Sequence, residues 1–171
     1  MSSSIAVFGS INMDLVIFSQ DKPSEGETIF GNSFHTFQGG KGANQAVAAS
    51  RLEIDVSFIG KIGVDIFGKQ LRDNLVEENI NVEYLEEHNS ESGVAFINVF
   101  EKTSENQIIV VPGANSYVES SQVPDALLSS TDILISQLEI PPNQIEDLFS
   151  RAGNHDCFRI LNAAPIISFE K

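Results

Sequence analysis

Short apolar runs and segments of helical period alternate along this chain, and that alternation restricts the fold more than any other feature. Ile5-Ala6-Val7-Phe8 is a continuous apolar run closed by Gly9 and reads as a buried strand. Val56 to Ile59, Ile133 to Leu138 and Ile160 to Asn162 read the same way. Between them lie three stretches of helical character. Ala43 to Leu52 is rich in alanine, Phe67, Leu71 and Leu75 recur at the spacing of one helix face, and Pro142 to Ala152 carries proline at its start. Strand–helix–strand order predicts right-handed crossovers, hence an α/β fold with a mostly parallel sheet flanked by helices. Two places depart from the alternation. Leu15 to Phe18 and an extended Thr28 to Phe37 follow the first strand, and 94–100 and 107–111 read as a hairpin around the polar loop 101–106. A small antiparallel subsheet beside the main layer is the expectation. Phe30, Phe34 and Phe37 are open to two roles there, core packing or an interface.

Composition removes several functions. The 171 residues suit one domain, and 42% hydrophobic with 20% charged residues is ordinary globular usage rather than disorder. With 24 acidic against 10 basic residues the formal charge is −14, which repels phosphate backbones and anionic lipid heads, so neither nucleic acid nor a membrane surface is an expected partner. The first basic residue is Lys22, so no charged signal region is expected at the start. The single Cys157 supports no internal disulfide framework. A cytoplasmic protein is the expectation. The histidines, His35, His88 and His155, are scattered without zinc spacing.

Three segments carry polar groups where open α/β sheets bind ligands, outside the carboxyl ends of strands. In Gly39-Gly40-Lys41-Gly42-Ala43-Asn44-Gln45 the glycines admit close approach to the main chain, and the helix that follows offers free N–H groups. It is neither of the two familiar phosphate loops: Lys41 is followed by Gly42 rather than Ser or Thr, and Gly40-Lys-Gly42 lacks the third glycine of the dinucleotide fingerprint. Lys and Asn suit a polyhydroxylated ligand, while an ordinary strand-to-helix turn is the plainer alternative. In Gly9-Ser10-Ile11-Asn12-Met13-Asp14, Asn12 and Asp14 are two apart and share one side of an extended chain, though Asx residues also serve turns. Glu139 ends the apolar run before Pro141-Pro142 and either accepts from a hydroxyl or complements a helix dipole. Gly63-Val64-Asp65-Ile66-Phe67-Gly68 reads as a structural turn with Asp65 as a helix cap.

Taken together, these segments resemble the ribokinase-like carbohydrate kinases. The resemblance runs from Gly9-Ser10-Ile11-Asn12-Met13-Asp14 through Gly26-Glu27-Thr28 and Gly39-Gly40-Lys41-Gly42-Ala43-Asn44-Gln45-Ala46. It continues with Gly63 to Gly68, Gly113-Ala114-Asn115, Gln137-Leu138-Glu139 and Asn162-Ala163-Ala164-Pro165. It implies ATP-dependent phosphorylation of D-ribose to ribose 5-phosphate, with the sugar held by Asn12, Met13, Asp14, Gly40, Lys41, Gly42, Ala43, Asn44 and Glu139. It also implies a β-sheet lid formed by segments at about 15–37 and 93–111, through which two copies pair as a homodimer. ATP, Mg2+ and a monovalent cation (K+) are the implied cofactors.

The family's later Gly-Ala-Gly-Asp motif, with its general base, and its Asn-x-x-Glu motif are not found in residues 1–171. The expectation is therefore an N-terminal half that carries the sugar pocket and lid, with no catalytic, cofactor or metal residues of its own, and inactive alone. The alternative is a non-catalytic sugar-binding or dimerising module. The same pocket residues serve both.

Overall fold

The computed structural model describes residues 4–166. Five strands make an all-parallel main sheet: β1 (Ser4–Phe8), β4 (Asp55–Gly63), β5 (Asn81–His88), β8 (Ile133–Gln137) and β9 (Phe158–Asn162), in the order β5-β4-β1-β8-β9. Alternation along β1 divides the core. Ile5 and Val7 face one side, where α1 (Lys41–Ser50) lays down Ala43, Ala46 and Ala49 and α2 (Ile66–Glu77) lays down Leu71 and Leu75. Ala6 and Phe8 face the other, against Leu128 of α3 (Asp125–Ser130) and Ile145, Leu148 and Ala152 of α4 (Pro142–Ala152). Helices thus cover both faces, as strands buried on both sides require. No described helix is long and apolar enough to cross a membrane.

A second sheet of four strands stands beside the first. Its members are β2 (Asn12–Ser19), β3 (Ser33–Gly39), β6 (Gly93–Phe100) and β7 (Glu105–Val111), in the order β3-β2-β6-β7. The β2–β3 and β6–β7 pairs are antiparallel, as the hairpin reading expects, but the central β2–β6 pair is parallel. The sheet is therefore mixed rather than antiparallel. The reason is that both hairpins leave the main sheet at the same end and run outward side by side, so their first strands point the same way. Thr28 to Asn32 lie outside β3, which begins at Ser33. Phe30 is 95% exposed, and Phe34 and Phe37 are also exposed, so none of the three belongs to the core.

Strand β5 has no counterpart in the sequence reading. Its residues Asn81-Val-Glu-Tyr-Leu-Glu-Glu-His interleave acids with apolar residues, and only Leu85 is fully buried. An edge strand shows one neighbour and much water, so its apolar signal is diluted.

Candidate functional site

The main sheet reverses direction beside β1: the chain moves outward to β4 and β5 on one side, then returns to β8 and β9 on the other. At such a switch point the loops after neighbouring strands diverge and leave a crevice at their carboxyl ends. Asn12 and Asp14 follow β1, and Glu139 follows β8. The glycine turn enters the same crevice because β3 delivers it there before α1 begins.

The resulting cleft has a volume of about 160 Å3. Asn12, Asp14, Gly40, Lys41, Asn44 and Glu139 line it, with Ala95, Ile97, Ile108 and Val110 of the second sheet as an apolar wall. Asn12 and Asp14 share this side because strand side chains alternate. Met13, between them, is 1% exposed and packs in the core. Gly42 and Ala43 are also buried and off the lining. Their main-chain N–H groups turn back to the first loop, Gly42 N to Ser10 Oγ at 3.4 Å and Ala43 N to Ser10 O at 2.9 Å. The side chains of Met13 and Ala43 and the Gly42 backbone therefore stand behind the lining and hold the site together.

Gly40 is the N-cap of α1 with φ 92°, a left-handed value that favours glycine. It offers no side chain to cap the helix, and a carboxylate from another strand end takes that part. Glu139 Oε2 accepts from Lys41 N at 3.0 Å, and Glu139 Oε1 pairs with Lys41 Nζ at 3.2 Å. Gln137 Nε2 donates to Gln45 Oε1 at 2.6 Å, a second tie between the end of β8 and α1.

Asp14 is held differently. Burial pushes its carboxyl pKa up to about 6, nearby Glu139 adds to the rise, and Lys41 opposes it. The site thus presents a half-buried carboxylate, which only accepts, beside a lysine and two amides, which donate. Neighbouring hydroxyls match that set. A larger cleft of about 380 Å3 adjoins it, sharing Asn12, Val110 and Glu139 but otherwise lined largely by Pro112, Leu138, Ile140, Pro141 and Pro165. The smaller hollow holds the convergent polar groups and is the candidate site.

Asp65 caps α2 through Gly68 N at 2.7 Å, the structural part expected of it. It also accepts from Ser92 N and Ser92 Oγ, both at 2.7 Å, and so ties the root of β6 to the main sheet. Two residues at the base of the cleft, Ser10 and Asn115, were not among the candidates. Both stand inside the motifs quoted above, but nothing in their spacing shows what they touch.

The signature of the pfkB family carbohydrate kinases matches residues 2–169. The chain belongs to this family. As a pfkB family member it is 41% identical over 164 residues to the ribokinase of Bacillus subtilis, covering 94% of this chain and 55% of that one. The fold matches the structure of ribokinase from Giardia lamblia with a TM-score of 0.87 at 32% identity, over 98% of this chain and 52% of that one. It matches the structure of Arabidopsis thaliana ribokinase complexed with ribose and ATP with a TM-score of 0.86 at 28% identity, over 96% of this chain and 54% of that one. The chain thus spans about half the length of the relatives it matches.

Proposed function

We propose that this chain supplies the sugar-binding half of an ATP-dependent ribokinase, which converts D-ribose to ribose 5-phosphate. The observation that carries the reading is the convergence of Asn12, Asp14, Gly40, Lys41, Asn44 and Glu139 on one small polar cleft. Its volume is below the roughly 300–1,000 Å3 usual for larger ligands, which suits a monosaccharide. Asp14 and Glu139 accept from hydroxyls, while the side chains of Asn44 and Lys41 donate. The family membership and the ribose-bound Arabidopsis relative support the same choice.

In this reading β2, β3, β6 and β7 are the lid. Ala95, Ile97 and Ile108 close one wall over the sugar and exclude water, which limits wasteful hydrolysis of ATP. Phe37, Ile108 and Val110 on that sheet are 52%, 52% and 46% exposed, and a second copy of the chain would cover them in a homodimer.

The cofactors of the reaction are ATP, Mg2+ and K+. Among the described residues no three or more His, Cys, Asp or Glu cluster together. The general base is assigned to sequence matching the other half of the relatives. Calorimetric titration of ribose into the 171-residue chain tests the pocket. The expected result is binding by the chain and none by Asp14→Ala; equal affinity in both overturns the reading. A coupled assay of the same chain is expected to show no ribose-dependent ADP, and robust turnover would place the base within these residues.

A further inference from the structure

Asn115 lies in a short 3-10 turn, Gly113–Tyr117, that follows β7 through Pro112. It is 1% exposed, far in sequence from Asn12, and its amide is fully engaged. Asn115 Oδ1 accepts from Ile11 N at 2.9 Å. Asn115 Nδ2 donates to Ile11 O at 3.1 Å, Pro112 O at 3.0 Å and Asn12 Oδ1 at 2.8 Å.

An amide side chain can be turned end for end, so its donor and acceptor positions follow from its partners. The partners of Asn115 leave no choice. Ile11 N–H only donates, so oxygen must face it. Ile11 O and Pro112 O only accept, so nitrogen must face them. Its two hydrogens are shared among three acceptors, and an amide nitrogen cannot accept a hydrogen bond, so the Asn12 atom 2.8 Å away must be Oδ1 rather than Nδ2. The Asn12 amide is therefore oriented at second hand, with its Nδ2 at the opposite end from the Asn115 contact.

The close approach of the two amides is provided for. Gly93, the first residue of β6, is the register partner of Asn12 across the β2–β6 pair. A Cβ at Gly93 would stand 2.2 Å from both Asn115 Nδ2 and Asn12 Oδ1. Only glycine leaves room for the pair.

We propose that Asn115 is a positioning residue: it holds the Asn12 amide oxygen so that Asn12 offers the cleft a hydrogen-bond donor beside the acceptor Asp14. This deepens the sugar-binding reading and rests on it for the ligand. With the donor at residue 12 and the acceptor at residue 14 on one strand face, a hydroxyl can accept from the first and donate to the second. An amide free to flip would present oxygen half the time and repel the same lone pair. Because Asn115 hangs from the end of β7 and Gly93 begins β6, the root of the second sheet sets the polarity of the sugar contact.

The test is a double-variant cycle of Asn12→Ala and Asn115→Ala in the 171-residue chain, read twice. In urea unfolding, the double variant is expected to lose less stability than the sum of the single losses, since both singles remove the same bond. Additive losses overturn the clamp, whatever the ligand. In ribose titration, Asn115→Ala is expected to weaken binding about ten-fold or more and to add nothing to Asn12→Ala. Losses that multiply in the double variant overturn the positioning role, because a merely structural residue would act independently of Asn12. A parent chain that binds no ribose but shows the stability coupling overturns the sugar reading and leaves the clamp standing. Where Asn115→Ala does not fold, Asn115→Thr, whose hydroxyl is too short to reach Asn12, takes its place in the same cycle.

Discussion

Ser10 Oγ donates to Glu139 Oε2 at 2.6 Å, across 129 residues of sequence. The same carboxylate oxygen accepts from Lys41 N, so one side chain at the end of β8 braces the loop after β1 and caps α1 together. Charge-assisted bonds of this kind are the strong ones, and a helix N-terminus favours the negative charge.

Removing the hydroxyl should therefore be felt in both stability and binding. Ser10→Ala is expected to cost about 1–3 kcal/mol in urea unfolding, the range for hydrogen bonds to charged groups. Ribose affinity should fall several-fold, since Lys41 and Gly40 lose their alignment. A variant as stable as the parent would show that Glu139 holds its place without Ser10.

Asp14 trades stability for function. Its folded-state pKa of about 6 lies above the ordinary 3.8, so the folded chain binds this proton more tightly than the unfolded one. The stability linked to that proton is fully present below the ordinary value and is lost as pH rises through about 6. Asp14→Asn should consequently melt higher than the parent at about pH 8, with the gain shrinking toward roughly pH 4, while ribose binding is lost. Thermal melts across that range check the sign, and a gain that grew toward acid would contradict it.

Asp65 works in the opposite sense. Burial pulls its carboxyl pKa up, but hydrogen bonds from Ser92 and the α2 N-terminus outweigh that and hold it below 3.8. Its contribution is present above the ordinary carboxylate value and lost as pH falls through the depressed one. Asp65→Ala should cost about 1–2 kcal/mol at neutral pH, the usual penalty for a lost cap, with a further loss from the freed Ser92. Denaturant unfolding at neutral and strongly acidic pH should show the difference between variant and parent narrowing in acid.

Gly40→Ala tests the turn itself. The left-handed φ of 92° disfavours any side chain, and an added Cβ would stand 2.7 Å from Ile11 Cα. Alanine is also a poorer N-cap than glycine by about 1 kcal/mol, so a fall in melting temperature by circular dichroism larger than that preference accounts for would identify the turn geometry as the cause.

Local chemistry made much of this legible in the chain. A period of two places Asn12 and Asp14 on one face of a strand, whatever the strand pairs with. Glycines at 39, 40 and 42 mark a turn that needs close main-chain approach, and the strand–helix alternation leads to a parallel sheet with sites at its carboxyl ends. Those inferences rest on bonds and sterics within a few residues, which accompany the sequence wherever it folds. The rest depends on which distant segments become neighbours. The parallel β2–β6 pairing, the reach of Glu139 to the α1 N-terminus and the grip of Asn115 on Asn12 join residues about 80 to 100 positions apart. No periodicity encodes such meetings, because each is set by the packing of whole layers around β1. Polarity at the cleft follows from them: Asn12 is an amide that could face either way in the sequence, and becomes a donor only when Asn115 arrives beside it.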